Sequence, residues 1–257
     1  MISQKIVDLL NEKYEKYNHV NFIETDPIFI PHQFTQKQDI EIAGFFAATL
    51  AWGQRKTIIS KSMELMQIMD MSPYNFVMNA KNGDLKKLKD FKHRTFNLTD
   101  TLYFIEFFKN HYSNSSSLET AFLKSDGLLK DKLIAFQKYF FLLPEYPERT
   151  KKHVSSPLKN SACKRINMFL RWMVRKDTKG VDFGIWNQIS TKDLIIPCDV
   201  HVERTAQILN LTTLEKPGWK MAEEITSNLI RIDDQDPVKY DFALFGLGIE
   251  KYFDNFR

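Results

Sequence analysis

The stretch PLKNSACKRINMFLRWMVR at residues 157–175, with LIIPCDVHVERTA at 194–206, decides how this chain folds. Ile166, Phe169, Leu170 and Met173 recur at i, i+3, i+4 and i+7, which predicts a helix over 161–176 with those four side chains buried. Lys164, Arg171 and Arg175 share a different face. Asp199 stands where an N-cap residue belongs, directly before the helical run VHVERTAQIL. Residues 144–157 carry three prolines and read as a connection, and 177–198 reads as a loop with one turn near Phe183–Trp186.

Outward from this centre the periodicity stays helical. Ser3 is placed to cap a first helix that buries Ile6, Leu9, Leu10 and Tyr14. Residues 18–35 read as loop. Thr35 and Gln38 have capping-box spacing and open a helix through IEIAGFFAATLAW to Gly53, and a second follows over about 55–69. Ser72-Pro73 opens a short helix. Residues 80–98 read as irregular. Further helices are predicted at 99–111, 117–124, 127–143, 218–230 and 237–249. No run alternates with period two, so the fold class is all-α.

Composition narrows the function. A chain of 257 residues with 43% hydrophobic residues and 21 Phe builds one large domain or two lobes around an aromatic core. No segment approaches the roughly 18 apolar residues of a membrane span. The charged first helix is no signal peptide, so the expectation is a cytoplasmic protein without a membrane partner. Two cysteines, Cys163 and Cys198, are too few for a disulfide scaffold or a four-cysteine cluster. No metal-site spacing, P-loop or dinucleotide fingerprint occurs, so neither metal nor cofactor is expected. Ten basic residues lie between Arg149 and Lys179 against one acid, Asp177. Such a block is the footprint of a polyanion site, or else a solvated helix face.

The two quoted stretches resemble the core of the helix-hairpin-helix DNA glycosylase superfamily, most nearly its 8-oxoguanine-type members in an uncharacterised bacterial branch. In that pattern a glycine-rich hairpin enters a helix carrying a lysine, and V-D-x-H-V-x-R follows. Lys164 falls on the family's catalytic lysine and Asp199 on its aspartate, with His201, Val202 and Arg204 in register. AATLAWGQRKT (47–57) resembles the early helix whose polar tail lines the base pocket, and FALFGLG (242–248) resembles the last helix. The resemblance implies two lobes, 36–176 and 1–35 plus 177–257. It also implies that damaged duplex DNA is the partner, although the basic block does not distinguish DNA from RNA. Two departures stand out. Lys159, Asn160 and Ala162 occupy the glycine-rich hairpin, and 177–193 is an insertion.

The resemblance assigns catalysis to Lys164 and Asp199 and puts Gln54 and Arg55 near the base pocket; Trp52 and Trp186 join that pocket as stacking candidates, and Lys159, Asn160, Arg165, Arg171 and Arg204 are the expected nucleic-acid contacts. The chemistry fits the residue types. Breaking an N-glycosidic bond develops positive charge on the sugar, which a carboxylate at a helix N-terminus stabilises. A lysine amine can attack the anomeric carbon and form a Schiff base, and the helix N-terminus and Arg165 both disfavour its charged form. The base must first leave the stack, and Phe183 and Trp219 are further stacking candidates. Two other readings stay open: a nucleic-acid-binding module that has lost catalysis, and action on RNA. Cys163 and Cys198 read more simply as small buried thiols.

Overall fold

Fourteen residues from Lys37 to Leu50 form a helix that is buried almost all round, with Asp39 through Leu50 shielded from solvent. A helix apolar on every side belongs in the middle of a core. The computed structural model describes residues 2–253, and among these the chain is all-α, with no β-strand. Eleven α-helices follow in chain order: α1 Gln4–Tyr17, α2 Lys37–Leu50, α3 Arg55–Ile68, α4 Pro73–Asn79, α5 Asn82–Lys86, α6 Leu98–Tyr112, α7 Leu129–Phe140, α8 Lys164–Val174, α9 Val200–Ile208, α10 Trp219–Ile230 and α11 Asp241–Ile249. Short 3-10 turns link them. No helix among the described residues is long and apolar enough to cross a membrane.

The chain divides into two compact units, 23–155 and 1–22 with 156–257. The first holds α2–α7. Its core is aromatic: Phe45, Phe46, Phe104, Phe108 and Phe140 lie ring against ring, with centroids 4.9–6.5 Å apart. Such pairs add to their area burial through edge-to-face and offset contacts. Glu41 of α2 is buried in this unit, where it accepts hydrogen bonds from Tyr112 Oη (2.8 Å), Ser117 Oγ (2.6 Å) and the Leu118 amide (2.9 Å).

The second unit holds α1 and α8–α11. Val202, Ala206, Ile225, Ala243, Leu244 and Leu247 form its apolar centre with Leu10. Gly246 and Gly248 of α11 permit close approach. A Cβ at Gly246 would lie 2.1 Å from the Tyr17 ring, and one at Gly248 2.7 Å from His201 Cβ.

The division corrects the expected boundary at residue 176, since α8 belongs with the segments that follow it. Arg171 of α8 and Arg175, its C-cap, are the reason. Arg171 is 4% exposed and Arg175 fully buried, and both pair with acids later in the chain. Arg171 reaches Asp182 at 3.2 Å and also pairs with Asp241. Arg175 reaches Asp177 at 2.8 Å, Asp182 at 3.0 Å and Asp236 at 2.8 Å. The 177–193 insertion is therefore part of this unit's core. Its Phe183 and Trp186 amides donate to the Trp172 and Met173 carbonyls at 2.8 and 2.9 Å, which satisfies the open end of α8.

Two capping expectations also change. The N-cap of α2 is Gln36, not Thr35, and no side chain caps it. Gln38 instead donates to the Ser116 carbonyl at 3.0 Å. Ser3 occupies the N-cap of α1 without a side-chain hydrogen bond.

Candidate active site

Asp199 caps α9 through one oxygen. Its Oδ1 accepts from the His201 and Val202 amides at 2.9 and 3.0 Å, and its backbone at φ −115° and ψ 179° is the extended geometry of an N-cap. The other oxygen, Oδ2, lies 3.6 Å from Lys164 Nζ. Lys164 is the first residue of α8, and Cys163 before it turns the chain through a left-handed conformation at φ 50°. The pair lies at the surface of its unit, with side chains 32% and 21% exposed. An amine and a carboxylate separated by 35 residues in sequence thus converge where a ligand can reach them.

Acids that the sequence reading did not single out surround the pair. Asp241 is buried at the start of α11 beside Arg171. Burial raises its pKa to about 6, and the charge of Asp199 adds to this against the pull of Arg171 and Lys164. Glu203, one turn along α9 from Asp199, is also raised, first by burial and then by Asp199. No periodicity marks Asp241, because its role depends on how α8 and α11 meet. Cys198, buried next to Asp199, is pushed well above the ordinary thiol range by burial and by Glu203, Asp199 and Asp241. It is therefore a packed thiol and not a nucleophile. Among the described residues no three His, Cys, Asp or Glu side chains converge as a metal site requires.

The turn before α8 is made without glycine. Pro157–Lys159 makes one 3-10 turn, capped by Ser156, and Asn160 takes the left-handed conformation at φ 57° and ψ 27°. Asn160 is tied into its own unit. Its carbonyl accepts from the Trp219 amide at 3.1 Å and its Oδ1 from the Lys220 amide at 3.2 Å. Gly218 lies close beneath, where a Cβ would meet Asn160 Nδ2 at 2.5 Å. These bonds pin the turn to α10, and Asn160 itself is exposed. Lys159 and Arg204 are exposed. Arg165 is partly buried, which lowers its guanidinium pKa.

Two nominated residues are corrected outright. Arg171 cannot meet a phosphate, because it lies inside the core with its charge answered by Asp182 and Asp241. Trp186 is 2% exposed and packs edge-on against Phe169 at 5.3 Å, so it is a core residue and not a base-stacking one. Trp219, 1% exposed, is likewise core.

The remaining pocket nominees, Trp52, Gln54 and Arg55, belong to the unit 23–155. Trp52 is already stacked. Its ring lies 5.7 Å from His153 at 26° and meets His93 edge-on at 5.2 Å. Gln54 lines an open cleft with Thr57, Lys61, Lys92, His93 and Arg94, and neither Trp52 nor Arg55 takes part in that lining.

A family model described as "Protein of unknown function (DUF2400)" matches residues 26–250. No curated protein matches the chain, and no solved structure does.

Proposed function

The chain belongs to the DUF2400 family, and for it we propose a DNA glycosylase and AP lyase of the two-lobed helix-hairpin-helix type. It removes a damaged base, an oxidised purine being the first candidate, with Lys164 as nucleophile and Asp199 as stabilising carboxylate. One observation carries the reading: Lys164 Nζ lies 3.6 Å from an Asp199 oxygen that takes no part in the helix cap.

The chemistry follows from that arrangement. As the bond from C1′ to the base breaks, its electron pair leaves with the base, which takes up a proton. Asp199, held by two backbone N–H groups, stabilises the positive charge that develops on the sugar. Lys164 Nζ, having lost a proton, bonds to C1′. A further proton passes from Nζ to the ring oxygen as the sugar opens, leaving an imine. Loss of a C2′ proton then expels the 3′ phosphate, which cuts the strand. Asp199 Oδ2 is placed to receive a proton from Nζ.

Borohydride trapping tests this. It reduces the imine and leaves protein joined to DNA. Full-length protein is incubated with duplexes carrying a panel of lesions and an abasic site. A covalent adduct that forms with the wild type and is lost in Lys164→Gln is the expected result. No adduct anywhere in the panel, or one that survives Lys164→Gln, overturns the mechanism. Salt-dependent duplex binding without any adduct or base release would instead mark a binding module, and stronger competition by RNA than by DNA would move the substrate to RNA.

A further inference from the structure

The cleft beside Gln54 has a chemistry of its own. It measures about 490 Å³ and is lined by Gln54, Thr57, Lys61, Lys92, His93 and Arg94, with no carboxylate among them. Lys61 is answered by Glu64 at 2.6 Å. Lys92 and Arg94 are exposed and have no acidic partner among the described residues.

A tight turn presents these two cations. The His93 and Phe96 backbones exchange two hydrogen bonds of 2.9 Å, and both side chains are buried. The residues flanking His93 therefore face outward. Gly53, at φ 110°, makes room for Arg94: a Cβ there would lie 2.5 Å from its guanidinium. His93 is buried with Nε2 3.3 Å from the Trp52 carbonyl, and burial, with smaller contributions from Arg94 and Lys61, lowers its pKa. The cleft also meets the first turn of α3, a helix of fourteen residues whose N-cap, Gln54, makes no side-chain cap.

No aliphatic side chain is among the residues lining the cleft, and its nearest indole is stacked on His153. Its cationic lining residues suit a sugar–phosphate backbone.

We propose that this cleft is a phosphate-binding site for a nucleic-acid backbone, with Lys92 and Arg94 as its principal cations. The proposal rests on the nucleic-acid reading above but not on Lys164 chemistry.

The test is the salt dependence of binding by the full chain, measured by fluorescence anisotropy on an undamaged duplex. Each phosphate contact contributes about 0.9 to the slope of log affinity against log salt. The Lys92→Gln/Arg94→Gln double variant is expected to flatten the slope by about 1 to 2. Lys92→Gln alone should flatten it by about 1, and it serves if the turn at Arg94 tolerates no change. A second measurement follows the Arg94 Nε resonance against a short oligothymidylate or inorganic phosphate at equal phosphorus concentration. A stronger response to the oligonucleotide supports a strand site. An equal response makes it a site for a lone anion and overturns the strand assignment. Unchanged slopes in both variants, with wild-type binding intact, overturn this proposal and leave the glycosylase reading standing. An adduct lost in Lys164→Gln alongside unchanged slopes separates the two in the same way, and no DNA or RNA binding by the wild type removes both.

Discussion

At Asp199 the two carboxylate oxygens have different surroundings, so the helix cap can be separated from the proposed chemistry. Oδ1 holds the start of α9 and Oδ2 faces Lys164. Asn caps helices as well as Asp does, so Asp199→Asn is expected to leave the thermal midpoint nearly unchanged. Under the proposed mechanism, base release should fall by roughly 100- to 1000-fold, the usual cost of removing one transition-state stabiliser. Asp199→Ala loses both oxygens and should also cost about 1 kcal/mol of stability in denaturant unfolding. Circular dichroism melts and single-turnover base release distinguish the two variants. Asp241 is the second residue-scale case. Its carboxyl is expected to titrate near pH 6, as its raised pKa of about 6 requires, read by ¹³C NMR of the side-chain carboxyl. The folded protein holds this proton more tightly than the unfolded chain does. Its contribution to stability is thus fully present below about pH 4 and is lost as pH rises through about 6.

Among the elements, α6 depends most visibly on an acid. Asp100 completes a capping box with Asn97, accepting from the Asn97 amide at 3.0 Å and from Thr150 Oγ1 at 2.7 Å. It also pairs with Arg149 and lies 3.4 Å from His153 Nε2. Burial alone would raise its pKa, but the nearby His153 and the bonds from Thr150 and Asn97 outweigh burial and hold it at about 2. The stability that Asp100 supplies is therefore present above about pH 4 and lost as pH falls towards 2. Asp100→Asn is expected to cost roughly 2 kcal/mol at pH 7, with the difference from wild type closing by about pH 2 in urea unfolding. The cap was not read from sequence, because a helix over 99–111 places Asn97 outside it. α8 shows the converse. Its apolar stripe of Ile166, Phe169, Leu170 and Met173 was legible and is buried as expected, whereas the fate of its arginines was not.

Across the whole molecule, six of the ten cations in the basic block of 149–179 pair with individual acids. Arg149, Lys151, Lys164, Arg171, Arg175 and Lys179 all meet acids, most of them far away in sequence. Local charge counting treats these residues as one positive surface, but two of the ten are in a core. Arg171→Ala should therefore act on folding. It leaves Asp182 and Asp241 without that cation inside the unit, and removing one partner of a buried pair costs about 3–5 kcal/mol. Guanidinium unfolding should show that loss, and the salt dependence of the proposed nucleic-acid binding should stay at the wild-type slope.

The all-α class, the long helices and the cap at Asp199 were readable from residues alone, whereas the pairing of Lys164 with Asp199 was implied only by the family resemblance. Helical periodicity and N-capping are local: they depend on side chains within one or two turns. Which arginines are buried, where the two units divide, how Asp241 joins the site and why Trp186 is core were decided only by tertiary structure. Each of these depends on which distant groups share a low-dielectric interior. There an unanswered charge is costly, so acids from the insertion and from α11 must meet the cations of α8.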